Sequence, residues 1–128
     1  MVRVLVTGAT GFIGSHLVEA IRDRHEVFAL VRRRPAQPLA GIHWIEQDLA
    51  HPLDYSRLPK QLDSIVHLAQ SRHYRDFPDR ATDIFNVNLY STFNLLEYAR
   101  AVNAQSFIFT STGGLYGEHS SEVTEILQ

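Results

Sequence analysis

The chain is 128 residues long, 45% hydrophobic and 20% charged, with a formal net charge of −2, which is the profile of one soluble globular domain and not of a disordered tail. At that length folding buries roughly two thirds of the surface the unfolded chain exposes, and the absence of cysteine excludes zinc–thiolate sites and a disulfide framework. A pI near 6.4 argues against a broad basic face for nucleic acid; no apolar run approaches the length of about 18 that spans a bilayer, so no membrane and a cytoplasmic location are expected.

Residues 2–7, Val-Arg-Val-Leu-Val-Thr, are mostly β-branched or apolar, as a strand in the middle of a parallel sheet should be. Gly8 ends it. Phe12, Ile13, Leu17, Val18 and Ile21 then recur at helical spacing until Arg24-His25, and Val27 to Val31 supplies a second strand, which completes a βαβ unit. Pro35, Pro38 and Gly41 make the next stretch a turn-rich loop. His43 to Glu46 is a third strand, Ser56 to Leu62 at most a short helix interrupted by Pro59, and Ser64 to Leu68 a fourth strand. A long helix is expected within Asp79 to Asn103, with Ile84, Val87, Leu95, Leu96, Tyr98 and Ala99 as its apolar pattern, and Phe107 to Thr110 as a fifth strand. Five strands interleaved with helices predict an α/β fold, a Rossmann-type doubly wound parallel sheet. Its ligand should lie at the carboxyl ends of the strands, where strand order reverses.

The most specific local feature is Thr7-Gly8-Ala9-Thr10-Gly11-Phe12-Ile13-Gly14-Ser15-His16-Leu17. Its three glycines follow a buried strand and open a helix. Gly8 permits a sharp turn, Gly11 lets the backbone approach a pyrophosphate, and Gly14 lets helix and strand pack closely. Free N–H groups at the helix start then face the anion. Alone the spacing is also compatible with a purely structural turn, and the flanking strands and helix are what favour the phosphate reading. A nucleoside-triphosphate loop is excluded, because no Gly-Lys-Ser/Thr follows the glycines.

The segment from Val6 to Leu17 resembles the opening of the extended short-chain dehydrogenase/reductases, the group that includes NAD(P)-dependent sugar-nucleotide epimerases and dehydratases. Four later segments match in order. Asp48-Leu49 resembles the family's adenine-contacting pair. His67-Leu68-Ala69, with Gln70 next, resembles the end of strand four, which passes the cofactor's ribose and pyrophosphate. Asn88, Thr92 and Asn94 to Glu97 resemble the long fourth helix, with Ser91 where glycine is usual. Phe109 to Gly117 resembles the fifth strand and its turn, with Thr112 at the catalytic hydroxyl position. The resemblance therefore implies a cofactor site built from Gly8, Thr10, Gly11, Phe12, Ile13, Gly14, Asp48, Leu49, Leu68, Ala69, Gln70, Asn88, Thr110 and Ser111.

In an NAD site of this type an acidic residue ends the second strand and accepts hydrogen bonds from the ribose hydroxyls, but Val31 stands there. Arg32 and Arg33 follow, and a guanidinium pairs well with a 2′-phosphate. NADP is therefore expected in preference to NAD, against the alternative that the arginines form a solvated loop.

By resemblance, chemistry in the family needs a Tyr-x-x-x-Lys pair, in which lysine stabilises the phenolate from one helix turn away. Of the twelve basic side chains all but Lys60 are arginine, and Ser56 stands four residues before that lysine, so the pair is absent from these residues. Thr112, with Ser111 as its one-residue alternative, then either orients a substrate oxygen or satisfies turn backbone. Cofactor binding without turnover is expected. The seven histidines show no helical metal spacing, so no metal is expected. The loop Tyr74 to Phe77 is either a pocket wall or plain surface.

Two readings remain. One is the NAD(P)-binding portion of a sugar-nucleotide epimerase, dehydratase or reductase, probed by a nucleotide sugar or a similar carbonyl or hydroxyl compound and joined by its long helix into a homodimer. The other is a non-catalytic dinucleotide sensor or interaction module. The residues from Glu118 to Gln128 carry no clear cap or final strand, and the first reading treats the chain as truncated there.

Overall fold

A computed structural model describes residues 1–111 of the chain. In order these form β1 (Arg3–Thr7), α1 (Phe12–Ile21), β2 (Glu26–Val31), β3 (Ile42–Glu46), a 3-10 turn (Tyr55–Arg57), β4 (Ser64–His67), α2 (Ala81–Phe85), a π-helical turn (Asn86–Tyr90), α3 (Ser91–Ala101) and β5 (Ser106–Phe109). The strands pair in parallel in the order β3-β2-β1-β4-β5. This is the Rossmann-type doubly wound sheet. The chain winds outward from β1 to β3, then returns to the other side of β1, so strand order reverses between β1 and β4.

The alternation of side chains along the strands divides the core into two layers. Val4 and Val6 of β1 and Val27, Ala29 and Val31 of β2 pack with Val18 and the partly buried Leu17 and Ile21 of α1. On the opposite face Leu5, Leu30 and Ile65 meet Val87, Leu95, Tyr98 and Ala99 of the later helices, together with Leu49, Leu53, Leu58 and Leu62 from the β3–β4 connection. A strand residue out of register would swap these sets, which is why the strand pattern was readable from sequence.

The one element that departs from expectation is the long helix. It runs from Ala81 to Ala101, within the expected Asp79 to Asn103, but it is not uniformly α-helical. Between Asn86 and Tyr90 the turn widens, and the Ser91 amide donates to the Asn86 carbonyl, five residues back. The hydroxyls of Ser91 and Thr92 donate to the Val87 and Asn88 carbonyls. Leu96 was expected in the buried stripe but is half-exposed, because Leu95 already fills the inward position between Ser91 and Ala99. The helix ends in a Schellman motif: Asn103 takes a left-handed φ of 54°, its amide reaches Arg100 O, and the Ala104 amide reaches Ala99 O.

Candidate functional site

At the reversal point the exits of β1 and β4 lie against one another. Gly8 has φ +66°, and a Cβ there would sit 2.9 Å from the Ala69 nitrogen. Glycine is thus required twice over, by backbone conformation and by space. Gly14 is tighter still, since its added Cβ would lie 2.0 Å from the Gly8 carbonyl oxygen. The loop is therefore folded onto the first turn of α1, as the sequence predicts for close helix–strand packing.

Gly11 caps α1 with extended backbone and no side-chain hydrogen bond, and the first turn carries no acidic residue. The amides of Phe12, Ile13 and Gly14 thus begin the helix without a partner from their own turn. A helix start of this kind is an anion cradle, combining free N–H donors with the positive end of the dipole. The donor set and the glycine clearance both fit a pyrophosphate.

The cradle opens into a cleft of about 640 Å³ across the carboxyl ends of the strands, within the range of about 300–1,000 Å³ usual for ligand sites. Of the residues predicted for the site, Gly8, Thr10, Gly11, Phe12, Ile13, Gly14, Arg32, Arg33, Asp48, Leu49, Leu68, Ala69, Gln70, Thr110 and Ser111 all line this cleft. Asn88 does not line it. Its side-chain oxygen instead accepts the Ser71 amide at 2.7 Å, so it anchors the turn that leaves β4. Thr112 lies outside the described residues. Tyr74 and Phe77 are exposed and do not line the cleft.

The cleft also contains Gln47, Ser71, Arg72 and Asp83, which sequence reasoning missed. Gln47 and Ser71-Arg72 sit just past β3 and β4, so the rule that ligands gather beyond strand ends would have found them. Asp83 had no local signal. It reaches the cleft because the Ser71 hydroxyl, itself buried, donates to its carboxylate.

Beneath the cleft runs a buried polar chain. The Thr7 hydroxyl oxygen accepts the amides of Leu68 and Ala69, both at 3.1 Å, so its own proton goes to His67 Nδ1 at 2.6 Å. The ring proton must then be on Nε2, which donates to Thr92 Oγ1 at 2.9 Å, and Thr92 in turn donates to the Asn88 carbonyl. Every member is satisfied. Burial pushes the His67 pKa down to about 4, keeping the imidazole neutral. The chain joins β1, β4 and the π turn, and so fixes the strand exits that carry Gly8 and Ala69. Among the described residues no three His, Asp or Glu side chains gather into a metal set, and no helix is long and apolar enough to cross a membrane.

A single family description matches residues 4–127: the NAD-dependent epimerase/dehydratase family. The chain belongs to this family. It is 29% identical to the UDP-glucose 4-epimerase of Mus musculus over 138 residues, covering 91% of this chain and 39% of the relative. It is 30% identical to the L-arabinose 1-dehydrogenase (NAD(P)(+)) of Haloferax volcanii, covering 91% of this chain and 43% of that protein. Among solved structures, a mutant UDP-glucuronic acid 4-epimerase from Bacillus cereus, in complex with UDP-4-deoxy-4-fluoro-glucuronic acid and NAD, superposes with a TM-score of 0.77 at 28% identity, over 96% of this chain and 44% of the other. The chain thus spans about two fifths of the length of these relatives.

Proposed function

We propose that these residues are the nicotinamide-dinucleotide-binding portion of an oxidoreductase of the epimerase, dehydratase or reductase type, acting on a nucleotide sugar or a similar carbonyl or hydroxyl compound. The observation that carries the reading is the uncapped start of α1 opening into the cleft at the strand reversal. When bound, the dinucleotide supplies hydride transfer. This chain's residues bind and orient it, with the pyrophosphate on the amides of residues 12–14, the adenosine toward Asp48 and Leu49, and the nicotinamide toward Thr110 and Ser111. Relatives with NAD(P) or NAD in their descriptions support the cofactor class.

Within that class, two features favour NADP. Val31 ends β2 without a carboxylate, and Glu46, its partner on β3, accepts the Arg34 amide and does not line the cleft. Arg32 and Arg33 do line it. The family structure described above holds NAD, so the preference is a property of this chain to be measured. In parallel titrations NADPH should bind about ten-fold more tightly than NADH, as one charge-assisted pair allows, and Arg32→Ala should erase most of the difference. Equal affinities in the unsubstituted chain, or tighter NADH, exclude the NADP assignment.

The reading includes a homodimer. Phe85, Leu89, Phe93 and Leu96 are each about half exposed, at intervals of four, four and three along one face of the later helices. A stripe of this kind on a helix needs an apolar partner, and a second copy supplies an identical one. Light scattering at high concentration should show a dimer that Phe93→Glu converts to monomer; a monodisperse monomer of the unsubstituted chain contradicts the pairing.

A further inference from the structure

A second groove, of about 490 Å³, lies between the C-terminal end of α3 and the segment that leads into β4. It shares no lining residue with the cleft at the strand reversal. Its size falls within the range of about 300–1,000 Å³ usual for small-molecule sites.

Its walls are fixed from behind. Tyr98 is buried, and its hydroxyl donates to the Pro59 carbonyl at 2.5 Å. Burial pushes the Tyr98 pKa up to about 12, so the phenol stays neutral and keeps its proton for that bond. Across the groove Tyr55 opens the 3-10 turn, which Asp54 caps by accepting the Ser56 amide at 3.1 Å and the Ser56 hydroxyl at 2.5 Å. The Asp54 amide in turn donates to Gln47 Oε1 at 3.0 Å. The two tyrosine rings end with centroids 6.4 Å apart and planes inclined at 36°. Tyr55 is half-exposed, while Leu58, which lines the same groove, is buried. A ring entering here meets one aromatic face already held in place and one aromatic edge beside it, an arrangement that favours a flat partner.

The rim is cationic. Lys60, the chain's single lysine, is exposed and takes part in none of the ion pairs among the described residues. Arg100 meets Glu97 through one guanidinium nitrogen at 2.8 Å. Lys60 and Arg100 against Glu97 leave one positive charge in excess on a groove whose floor is apolar. An ammonium is a compact point charge with three donors, suited to a single carboxylate. Rings alone would take any flat hydrophobe and the ammonium alone any anion; together they select a planar monoanion.

We propose that this groove binds a small aromatic carboxylate, with its ring against Tyr55 and Tyr98 and its carboxylate on the Lys60 ammonium. The site stands apart from the dinucleotide cleft and does not depend on what that cleft binds.

The test uses the 128-residue chain and its Lys60→Gln, Lys60→Arg and Tyr55→Ala variants, with thermal melts to show that each is folded. Amide chemical shifts are followed during titration with 2-naphthoate, its neutral isostere 2-naphthamide, and cyclohexanecarboxylate. Naphthoate should give saturable shifts largest at Tyr55, Leu58, Lys60 and residues 98–102, with residues 11–14 unmoved, and should bind more tightly than either of the other two. Lys60→Gln should weaken naphthoate by about three- to five-fold, as expected for an exposed ion pair, and leave naphthamide unchanged, while Lys60→Arg keeps most of the affinity. Tyr55→Ala should weaken naphthoate and naphthamide alike, by about five-fold. Absence of saturable shifts in the groove at millimolar naphthoate overturns the proposal. So does naphthamide or cyclohexanecarboxylate binding as tightly as naphthoate, or a folded Lys60→Gln chain with undiminished naphthoate affinity.

Discussion

Replacing Gly14 with alanine should destabilise the chain by about 2–3 kcal/mol and abolish dinucleotide binding. The new Cβ would lie 2.0 Å from the Gly8 carbonyl oxygen and 2.8 Å from the Ala9 Cα. Both are backbone atoms, so no side-chain rotation relieves the clash. Overpacking of this kind costs typically about 1–3 kcal/mol, and the roughly 1 kcal/mol that alanine gains over glycine within a helix offsets only part of a cost at or above the upper end. The displaced atoms belong to the loop proposed to bring the phosphate to the α1 amides, so binding should fail with the packing. Gly41→Ala is the control: Gly41 also has a left-handed φ, +80°, but nothing lies within 4 Å of its added Cβ. That variant should lose about 1–2 kcal/mol from backbone strain alone and bind dinucleotide normally. Urea denaturation and dinucleotide titration of the two variants separate crowding from conformational strain; a Gly14→Ala chain as stable as the parent with unchanged affinity would refute the packing argument.

His67 gives the second large effect, and its sign follows from burial. Its pKa falls from 6.5 in the unfolded chain to about 4 in the folded one. Between those values the unfolded state binds the extra proton, so stability rises with pH. His67's contribution is complete above about pH 6.5 and is lost as the pH falls toward 4. The difference corresponds to about 3 kcal/mol, of the same order as leaving the Thr7 hydroxyl and Thr92 without their shared partner. Carboxylates titrate in the lower part of this window too, so the comparison that matters is with His67→Gln, which keeps polar groups in place but does not titrate. The unsubstituted chain should lose about 3 kcal/mol more than His67→Gln between pH 7 and pH 4 in urea titrations. Parallel stability curves for the two proteins contradict a neutral, buried His67.

The sequence and the structure agree where periodicity is strict and part company where contacts are long-range. Each of the five strands lies within a residue of its expected place, because alternating β-branched and apolar residues in β1, β2 and β4 had to serve two buried layers. The glycine loop was legible for a similar reason: Gly8 and Gly14 occupy positions where a Cβ meets backbone. The π turn was not legible. Nothing in Asn86 to Tyr90 marks a wider turn by composition, and its Ser91 and Thr92 hydroxyl bonds become visible only once the carbonyls they satisfy are placed. Asn88 shows the same limit. Its position in the sequence pattern pointed to the cleft, whereas its side chain turns to the Ser71 amide. Asp83 and Arg72 were missed because their places depend on one buried hydroxyl, Ser71, which ties a surface turn to the helix that follows it.

In the proposed site a dinucleotide's pyrophosphate rests on the start of α1. Amide chemical-shift mapping of the isotopically labelled chain during titration with NADP⁺, and separately with NAD⁺, addresses it residue by residue. The expected result is a saturable set of shifts largest at residues 11–14, extending to Arg32 and Arg33, Asp48 and Leu68 to Gln70, with Lys60 and the Tyr98 side of α3 unmoved. Saturable shifts that leave residues 11–14 in place, or no shifts at millimolar dinucleotide, contradict the account.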